Sequence, residues 1–245
     1  MLPLGQVGQT QYDLRFSLLG IPVRVHPGFW VVGCLLGWTE GRLDLVFVWL
    51  ICLFVSILVH EFGHALSARH FGWPPTVTLY YFGGLANFQP GWGYTRGRAM
   101  WISFAGPLAG FILCALVVAV DFLMTQGVTG ERPWLPMLLR RWVYGMPLES
   151  NLDFALLQLQ FVNLVWGVFN LLPVYPLDGG QICFEYMNGR SSTLGRMRTH
   201  QVGTAAAALG ACFFIWIHAY MGGLMFASLA YENYRSAEQL KRGYW

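Results

Sequence analysis

The stretch that decides the fold is ILVHEFGHAL, residues 57–66. It places the pattern H-E-x-x-H inside an apolar run, residues 47–66, that is the right length for a membrane span. Residues four apart lie on the same face of a helix, so His60 and His64 can present two imidazoles to one metal ion. Glu61 lies about 100° further round the helix, beside that ion. A general base stands there in metal-dependent hydrolases.

The apolar surroundings make this short pattern much more informative than it is in a soluble helix. A charged side chain at the bilayer centre costs roughly 2.5–3.5 kcal/mol on insertion scales, so ionisable residues inside a span usually have a function. The alternative is a pair of core histidines followed by a solvated glutamate at a helix end. The apolar residues on both sides of the motif disfavour that alternative.

Composition places the chain among membrane proteins. Of its 245 residues, 56% are hydrophobic and 11% are charged, whereas soluble domains carry about 25% charged residues. We therefore expect an all-α polytopic membrane protein with the lipid bilayer as its main partner. The net charge of +3 is too small to indicate binding to nucleic acid. The five cysteines are isolated and form no C-x-x-C pair, so the sequence suggests neither a disulfide framework nor a thiolate zinc site.

We expect about six transmembrane helices in a single membrane-embedded domain, residues 1–245. The predicted spans cover residues 29–38, 45–70, 100–124, 153–172, 202–217 and 222–234. The last two are short for a hydrocarbon layer of about 30 Å, and one helix over residues 202–234 is the alternative. Aromatic side chains between residues 126 and 151 suggest that this loop lies in the membrane interface.

The distribution of basic residues predicts the orientation. With six spans, eleven of the 15 lysines and arginines fall on the side of the two termini and four fall on the other side. Because basic residues are enriched in cytoplasmic loops, both termini are predicted to be cytoplasmic. This places the predicted site near the cytoplasmic face, in the cell (inner) membrane. Five spans would export the basic residues between 235 and 242.

Residues 76–88 do not resemble a transmembrane helix. Residues 76–82 are β-branched and aromatic, and the pair Gly83-Gly84 is predicted to form the turn of a β-hairpin at or in the membrane surface. An edge of this hairpin could bind an extended peptide by strand addition, and a packing role alone is an equal alternative. The run IPVRV, residues 21–25, predicts a short edge strand or an interfacial segment.

A second candidate segment is NLLPVYPLDGG, residues 170–180. Its two prolines end the preceding helix, and its two glycines permit an unusual backbone after Asp178. An ordinary helix stop, with Asp178 capping the next helix, is the alternative. Catalytic zinc takes three protein ligands and one water. Because His60 and His64 supply only two, we expect Asp178 to be the third ligand of one Zn²⁺ per chain.

Three motifs together resemble those of the site-2 protease family of intramembrane zinc metalloproteases. They are HEFGH at 60–64, AGP at 105–107 and NLLPVYPLDGG at 170–180. The resemblance extends over residues 20–180. It implies that His60, His64 and Asp178 bind zinc, that Glu61 is the general base and that Asn170 contacts the substrate carbonyl.

The resemblance also implies an activity, which is hydrolysis of peptide bonds in or near the transmembrane segment of a single-span membrane protein. Gly110 departs from the family, whose members often carry asparagine there. No segment suits the PDZ-type or cystathionine-synthase-type domains that some members append. The sequence predicts no oligomeric state.

A metal or ion transporter is the rival class, because transporters also place histidine and aspartate near the bilayer midplane. Such a transporter does not need Glu61 next to His60, and the two halves of the chain show no inverted repeat. A zinc protease of the prenyl-protein-processing type would use a glutamate ligand on a later helix. The available residues, Glu232 and Glu238, lie in a polar tail.

Overall fold

The computed structural model describes residues 8–81, 83–125, 150–187 and 192–243. The helices are α1 Pro27–Leu36, α2 Leu43–His70, α3 Arg96–Thr125, α4 Asn151–Phe161, α5 Asp178–Met187, α6 Ser192–Trp216 and α7 Tyr220–Lys241. Helix α4 continues through a π-helical turn, Val162–Trp166, into a last turn, Gly167–Asn170. The strands are β1 Leu14–Leu18, β2 Ile21–Val25, β3 Pro75–Tyr80 and β4 Gly83–Phe88.

Three helices in the described ranges are long and apolar enough to cross a membrane. They are α2, α3 and the continuous run Asn151–Asn170, which lie at the predicted spans 45–70, 100–124 and 153–172. Helix α1 is apolar but has only 10 residues. The count of six spans therefore stays a prediction, as does the single domain. Nearly all of the predicted interfacial loop, residues 126–149, lies outside the described residues.

The region of the last two predicted spans contains two helices, so the alternative of one helix over residues 202–234 is wrong. Helix α6 ends at Trp216 and α7 begins at Tyr220. Between them, His218 has a φ of 61°, in the left-handed region that a continuing helix cannot contain. Both helices extend beyond the predicted bounds into polar sequence, and α6 includes Arg196 and Arg198 in its early turns.

The four strands form one sheet in the order β1-β2-β3-β4. The predicted hairpin is present as the antiparallel pair β3–β4, and β2 pairs in parallel with β3. The prediction that residues 21–25 form an edge strand is wrong. Strand β1 pairs antiparallel with the other side of β2, which makes β2 an interior strand. In the described part of the chain, β1 and β4 are the sheet's edges.

The described residues group into two compact units. The first comprises Met1–Trp92 and Ala105–Gly167. Its apolar core contains the alternate residues of β2, with Ile21, Val23 and Val25 all buried, together with residues of β3 and α2. Alternation puts these three side chains on one face of the strand, so the sheet packs one apolar face into the core.

Buried polar side chains of the first unit hydrogen-bond to one another within the long helices. The amide nitrogen of Asn163 donates to Ser56 Oγ and to the carbonyl oxygen of Leu159, both at 2.8 Å. Gln160 Nε2 donates to Asp121 Oδ2 at 3.3 Å. The bonds to Ser56 and Asp121 join α4 to α2 and to α3, in surroundings where lipid offers no water to satisfy such groups.

The second unit comprises Gly93–Phe104 and Val168–Trp245. Its core is built on the antiparallel pair α6 and α7, where Phe214 stacks on Phe226 with ring centroids 5.2 Å apart. A Cβ at Gly210 would lie 2.5 Å from Phe226 Cδ1, so the missing side chain makes room for that ring. Val174 is fully buried in the same core, which fixes the segment before α5 on this helix pair.

Replacing Leu79, which is fully buried in β3, tests the sheet core. We expect Leu79→Ala to lower the free energy of unfolding by roughly 2–5 kcal/mol, because it removes buried methyl groups and leaves a cavity. Thermal unfolding in detergent measures the change. Thr76→Ala is the matched control, because Thr76 is exposed on the same strand. Equal melting temperatures for the two variants would contradict this assignment of the core.

Candidate metal centre

Helix α2 brings His60 and His64 together one turn apart, as the sequence predicts. Both side chains are buried, and their Nε2 atoms lie 3.2 Å apart. Two nitrogen ligands at about 2.0–2.1 Å from a tetrahedral zinc ion are roughly 3.3 Å apart. The spacing of the two imidazoles therefore fits a pair of ligands to one ion.

Asp178 can join this pair in holding a metal ion. Buried side chains form this group, namely His60, His64 and Asp178. Each offers one potential ligand atom, and the three atoms lie within 4.8 Å of one another. Two imidazoles and one carboxylate are an established donor set for catalytic zinc, with a fourth position left to water. The chemistry of these donors therefore fits Zn²⁺.

Small residues let α3 approach the histidine pair. A Cβ at Gly63 would overlap the carbonyl oxygen of Ala105 and lie 2.9 Å from Ala109 Cβ. A Cβ at Gly106 would overlap Nε2 of His64 and lie 2.8 Å from its Cδ2. The AGP motif of α3 thus packs directly on the His64 imidazole, and no larger residue fits at Gly106.

Glu61 is buried beside the hairpin β3–β4. A Cβ at Gly84 would overlap Glu61 Cγ and lie 2.7 Å from its Oε1. Burial raises the pKa of Tyr80, and the nearby negative charge of Glu61 raises it further. The backbone of β4 is therefore next to the carboxyl group that the sequence assigns as the base.

The two glycines of the hairpin were wrongly predicted to form its turn. They lie within β4, where Gly83 pairs with Tyr80 and Gly84 with Leu79. A glycine inside a strand often marks a close approach of other atoms to the backbone. The sequence alone does not separate the two interpretations, because a Gly-Gly pair also suits a two-residue hairpin turn. The contact with Glu61 explains why position 84 is a glycine.

Asp178 is the first residue of α5, where the helix dipole favours a negative charge. The two glycines that follow permit an unusual backbone, but in the structure both continue the helix. Because they lack side chains, they let α5 approach the preceding segment closely. A Cβ at Gly179 would overlap the carbonyl oxygen of Leu171, and one at Gly180 would lie 2.6 Å from that of Val174. The first turn of α5 therefore packs on the backbone of the preceding segment.

Two further positions were singled out from the sequence. Asn170 is half-buried in the last turn of α4, and its contact with substrate stays a prediction. A Cβ at Gly110 would lie 3.5 Å from Asn163 Oδ1. An amide side chain from α4 thus lies beside the position where family members often carry asparagine.

Comparison with known proteins identifies the family of this chain. The family model of peptidase family M50 matches residues 48–216, which include both segments that carry the candidate ligands. The chain belongs to peptidase family M50. This match confirms the resemblance to site-2 proteases.

Individual relatives cover different shares of the chain. Rip3 of Mycobacterium tuberculosis is 30% identical over 99% of the chain, and a zinc metalloprotease of Methanocaldococcus jannaschii is 30% identical over 70% of it. Stage IV sporulation protein FB of Bacillus subtilis is 28% identical over 67% of the chain. The chain spans 61%, 44% and 47% of the length of these three relatives, respectively.

A solved structure supports the fold. The site-2 protease from Methanocaldococcus jannaschii matches with a TM-score of 0.58, covering 92% of this chain and 95% of that one at 22% identity. The fold is therefore that of a site-2 protease, an architecture of membrane helices with a small sheet. Together with the three apolar helices, the family match supports an integral membrane protein.

Replacing Gly106 tests the packing of α3 on His64. We expect Gly106→Ala to weaken zinc binding roughly 10–100-fold, because the new Cβ displaces the imidazole. The zinc content of purified protein, measured by mass spectrometry against graded chelator concentrations, reports the change. Gly97→Ala is the matched control on the same helix, since a Cβ there meets nothing within 4 Å. Undiminished zinc affinity in Gly106→Ala would show that the contact with His64 is unimportant.

Proposed function

We propose that this protein is an intramembrane zinc metalloprotease that hydrolyses peptide bonds in or near the transmembrane segment of single-span membrane proteins. The proposal is carried by one observation, which is the ligand set His60, His64 and Asp178 next to the buried carboxyl of Glu61. Membership of peptidase family M50 supports it.

His60, His64 and Asp178 would hold one Zn²⁺, which polarises a carbonyl group and lowers the pKa of water towards 7 when bound. Glu61 accepts the proton of the attacking water at a carboxylate oxygen and later donates it to the leaving amine. Its burial beside the β4 backbone keeps this carboxyl in a fixed place. Asn170 is proposed to donate a hydrogen bond to the developing oxyanion, typically worth about 3–4 kcal/mol.

Strand β4 is proposed to hold the substrate in an extended form. Its outer edge is unpaired in the described sheet, and Gly84 of the same strand lies against Glu61. A peptide added to this edge would form main-chain hydrogen bonds next to the proposed base. A substrate helix must unwind first, and glycine or proline in its sequence lowers the cost of unwinding.

The proposed location is the cell (inner) membrane, with several spans and with the active site towards the cytoplasm. This orientation rests on the excess of basic residues on the side of the two termini. It gives water a short route to buried polar groups near the cytoplasmic ends of the spans.

Separate substitutions of the base and of a ligand test the catalytic roles. We expect Glu61→Ala to lower cleavage of a purified single-span substrate by a factor of about 10²–10⁴ or more while zinc stays bound. Asp178→Ala should lose zinc as well as activity. Cleavage rates and metal content, both measured in detergent, distinguish the two cases. A chelator should stop the unmodified protein, and added Zn²⁺ should restore it.

Unchanged cleavage by Glu61→Ala would contradict its role as base. Zinc retained by Asp178→Ala would contradict the ligand set. Metal transport by vesicles that contain the protein, without cleavage of any membrane substrate, would favour the transporter class instead.

Cross-linking tests strand addition at β4. Asn87 is exposed on this strand, so a cysteine placed there in the inactive Glu61→Ala background can trap a nearby substrate thiol. A scan of single cysteines along the substrate should give disulfides at every second position, because side chains alternate along a strand. Ser17→Cys on the opposite edge strand β1 is the matched control. Equal trapping at both edges, or trapping without alternation, would count against the proposal.

A further inference from the structure

A buried asparagine in the second unit bonds to three different groups. Asn233 of α7 is 1% exposed. Its Nδ2 donates to the carbonyl oxygen of Tyr175 at 2.6 Å and to that of Leu229, one turn earlier in α7, at 2.9 Å. Its Oδ1 lies 3.0 Å from Nδ1 of His200 on α6. One side chain thus joins both long helices to the segment before α5.

The number of available hydrogens settles the direction of these bonds. Asn233 has two amide hydrogens, and the two carbonyl oxygens use both of them. Its Oδ1 is therefore an acceptor, so Nδ1 of His200 donates the hydrogen bond between them. The His200 ring also packs edge-on against the Tyr175 ring, with centroids 5.4 Å apart. Each polar atom of the Asn233 side chain has a partner of the correct type.

A glycine on α6 makes this arrangement possible. A Cβ at Gly203 would lie 2.7 Å from Asn233 Oδ1 and 3.4 Å from the carbonyl oxygen of Pro173. Any larger residue at position 203 would push the asparagine away from the segment that it holds. The hydrogen bonds of Asn233 on α7 therefore depend on the absence of a side chain at Gly203 on α6.

The held segment contacts the first turn of α5. A Cβ at Gly180 would overlap the backbone nitrogen of Tyr175 and lie 2.6 Å from the carbonyl oxygen of Val174. Val174 is itself fully buried in the core of the second unit. Asn233 holds the carbonyl of Tyr175, and Gly180 packs on the peptide bond between Val174 and Tyr175. Asp178 lies between these two anchored points in the chain.

We propose that Asn233 is a positioning residue for Asp178. By holding the Tyr175 carbonyl it fixes the segment on which the first turn of α5 rests, and so fixes where the Asp178 carboxylate points. A leucine would pack well between two helices, whereas a buried amide costs free energy unless fully bonded. The inference rests on the proposed function, in which Asp178 binds zinc.

Zinc affinity tests this inference through two independent variants. Asn233→Leu removes all three hydrogen bonds. Gly203→Ala keeps the Asn233 amide but pushes it out of its position. Each should weaken zinc binding roughly 10–100-fold, as loss of a supporting hydrogen bond does at other metal sites. Chelator competition measures the affinity. Replacement of zinc by Co²⁺ should give a visible spectrum different from that of the unmodified protein, because one ligand is misplaced.

Two controls separate positioning from general damage. Gln239→Leu removes an exposed amide from the same helix and should leave affinity and spectrum unchanged. Helix content by circular dichroism and a single elution peak establish that each variant is folded. If Asn233→Leu does not fold, Gly203→Ala decides the question alone.

Asp178→Ala, measured in parallel, distinguishes failure of this inference from failure of the proposed function. If Asp178→Ala loses zinc while folded Asn233→Leu or Gly203→Ala binds it as tightly as the unmodified protein, the positioning role is wrong. An equal loss in Gln239→Leu would also overturn it. If Asp178→Ala binds zinc normally, the proposed ligand set is wrong and the positioning role falls with it.

Discussion

The structure depends on one constraint, which is that ionisable side chains inside apolar helices must be enclosed by protein. Helix α2 carries His60, Glu61 and His64 within one buried turn. Each unfavourable burial has to be offset by ligands, hydrogen bonds or close packing, because lipid offers none of these. At two of these three residues the structure closes the space with glycine. Gly84 lies against Glu61 and Gly106 against His64, so backbone replaces solvent around the site.

The small sheet gives this membrane fold a part that behaves like a soluble core. Buried residues of β2 and β3 pack with residues of α2, so burial of apolar area stabilises the sheet next to the motif. The long helices use a different interaction, since lipid is as apolar as their side chains. Hydrogen bonds such as Asn163 to Ser56 then specify how they pack. Packing of the sheet on α2 places β4 beside Glu61, and the hydrogen bonds between helices hold α4 against α2.

Features that depend on local sequence patterns could be predicted from the sequence. Features that depend on contacts between distant residues could not. The histidine pair follows from a spacing of four residues on one helix, and the long spans follow from apolar length. Strand β1 was missed because its alternating run LRFSL has only five residues and most of its side chains are exposed, so pairing with β2 decides that it forms. The strand glycines were misassigned for a related reason. Their partner, Glu61, is distant in sequence, and a turn explains a glycine pair equally well.

The three proposed ligands differ in how much support their positions need. His60 and His64 lie in the middle of a 28-residue helix, where intrahelical hydrogen bonds fix their backbone. Asp178 instead follows a non-helical segment with two prolines, whose nitrogens donate no hydrogen bonds. Its position must come from contacts with other elements, and a misplacement of about 1 Å is enough to impair a site. The glycines of α5 and the Asn233 amide supply those contacts. In the proposed site, the position of the third ligand therefore depends partly on a residue of α7, far along the chain from the H-E-x-x-H motif.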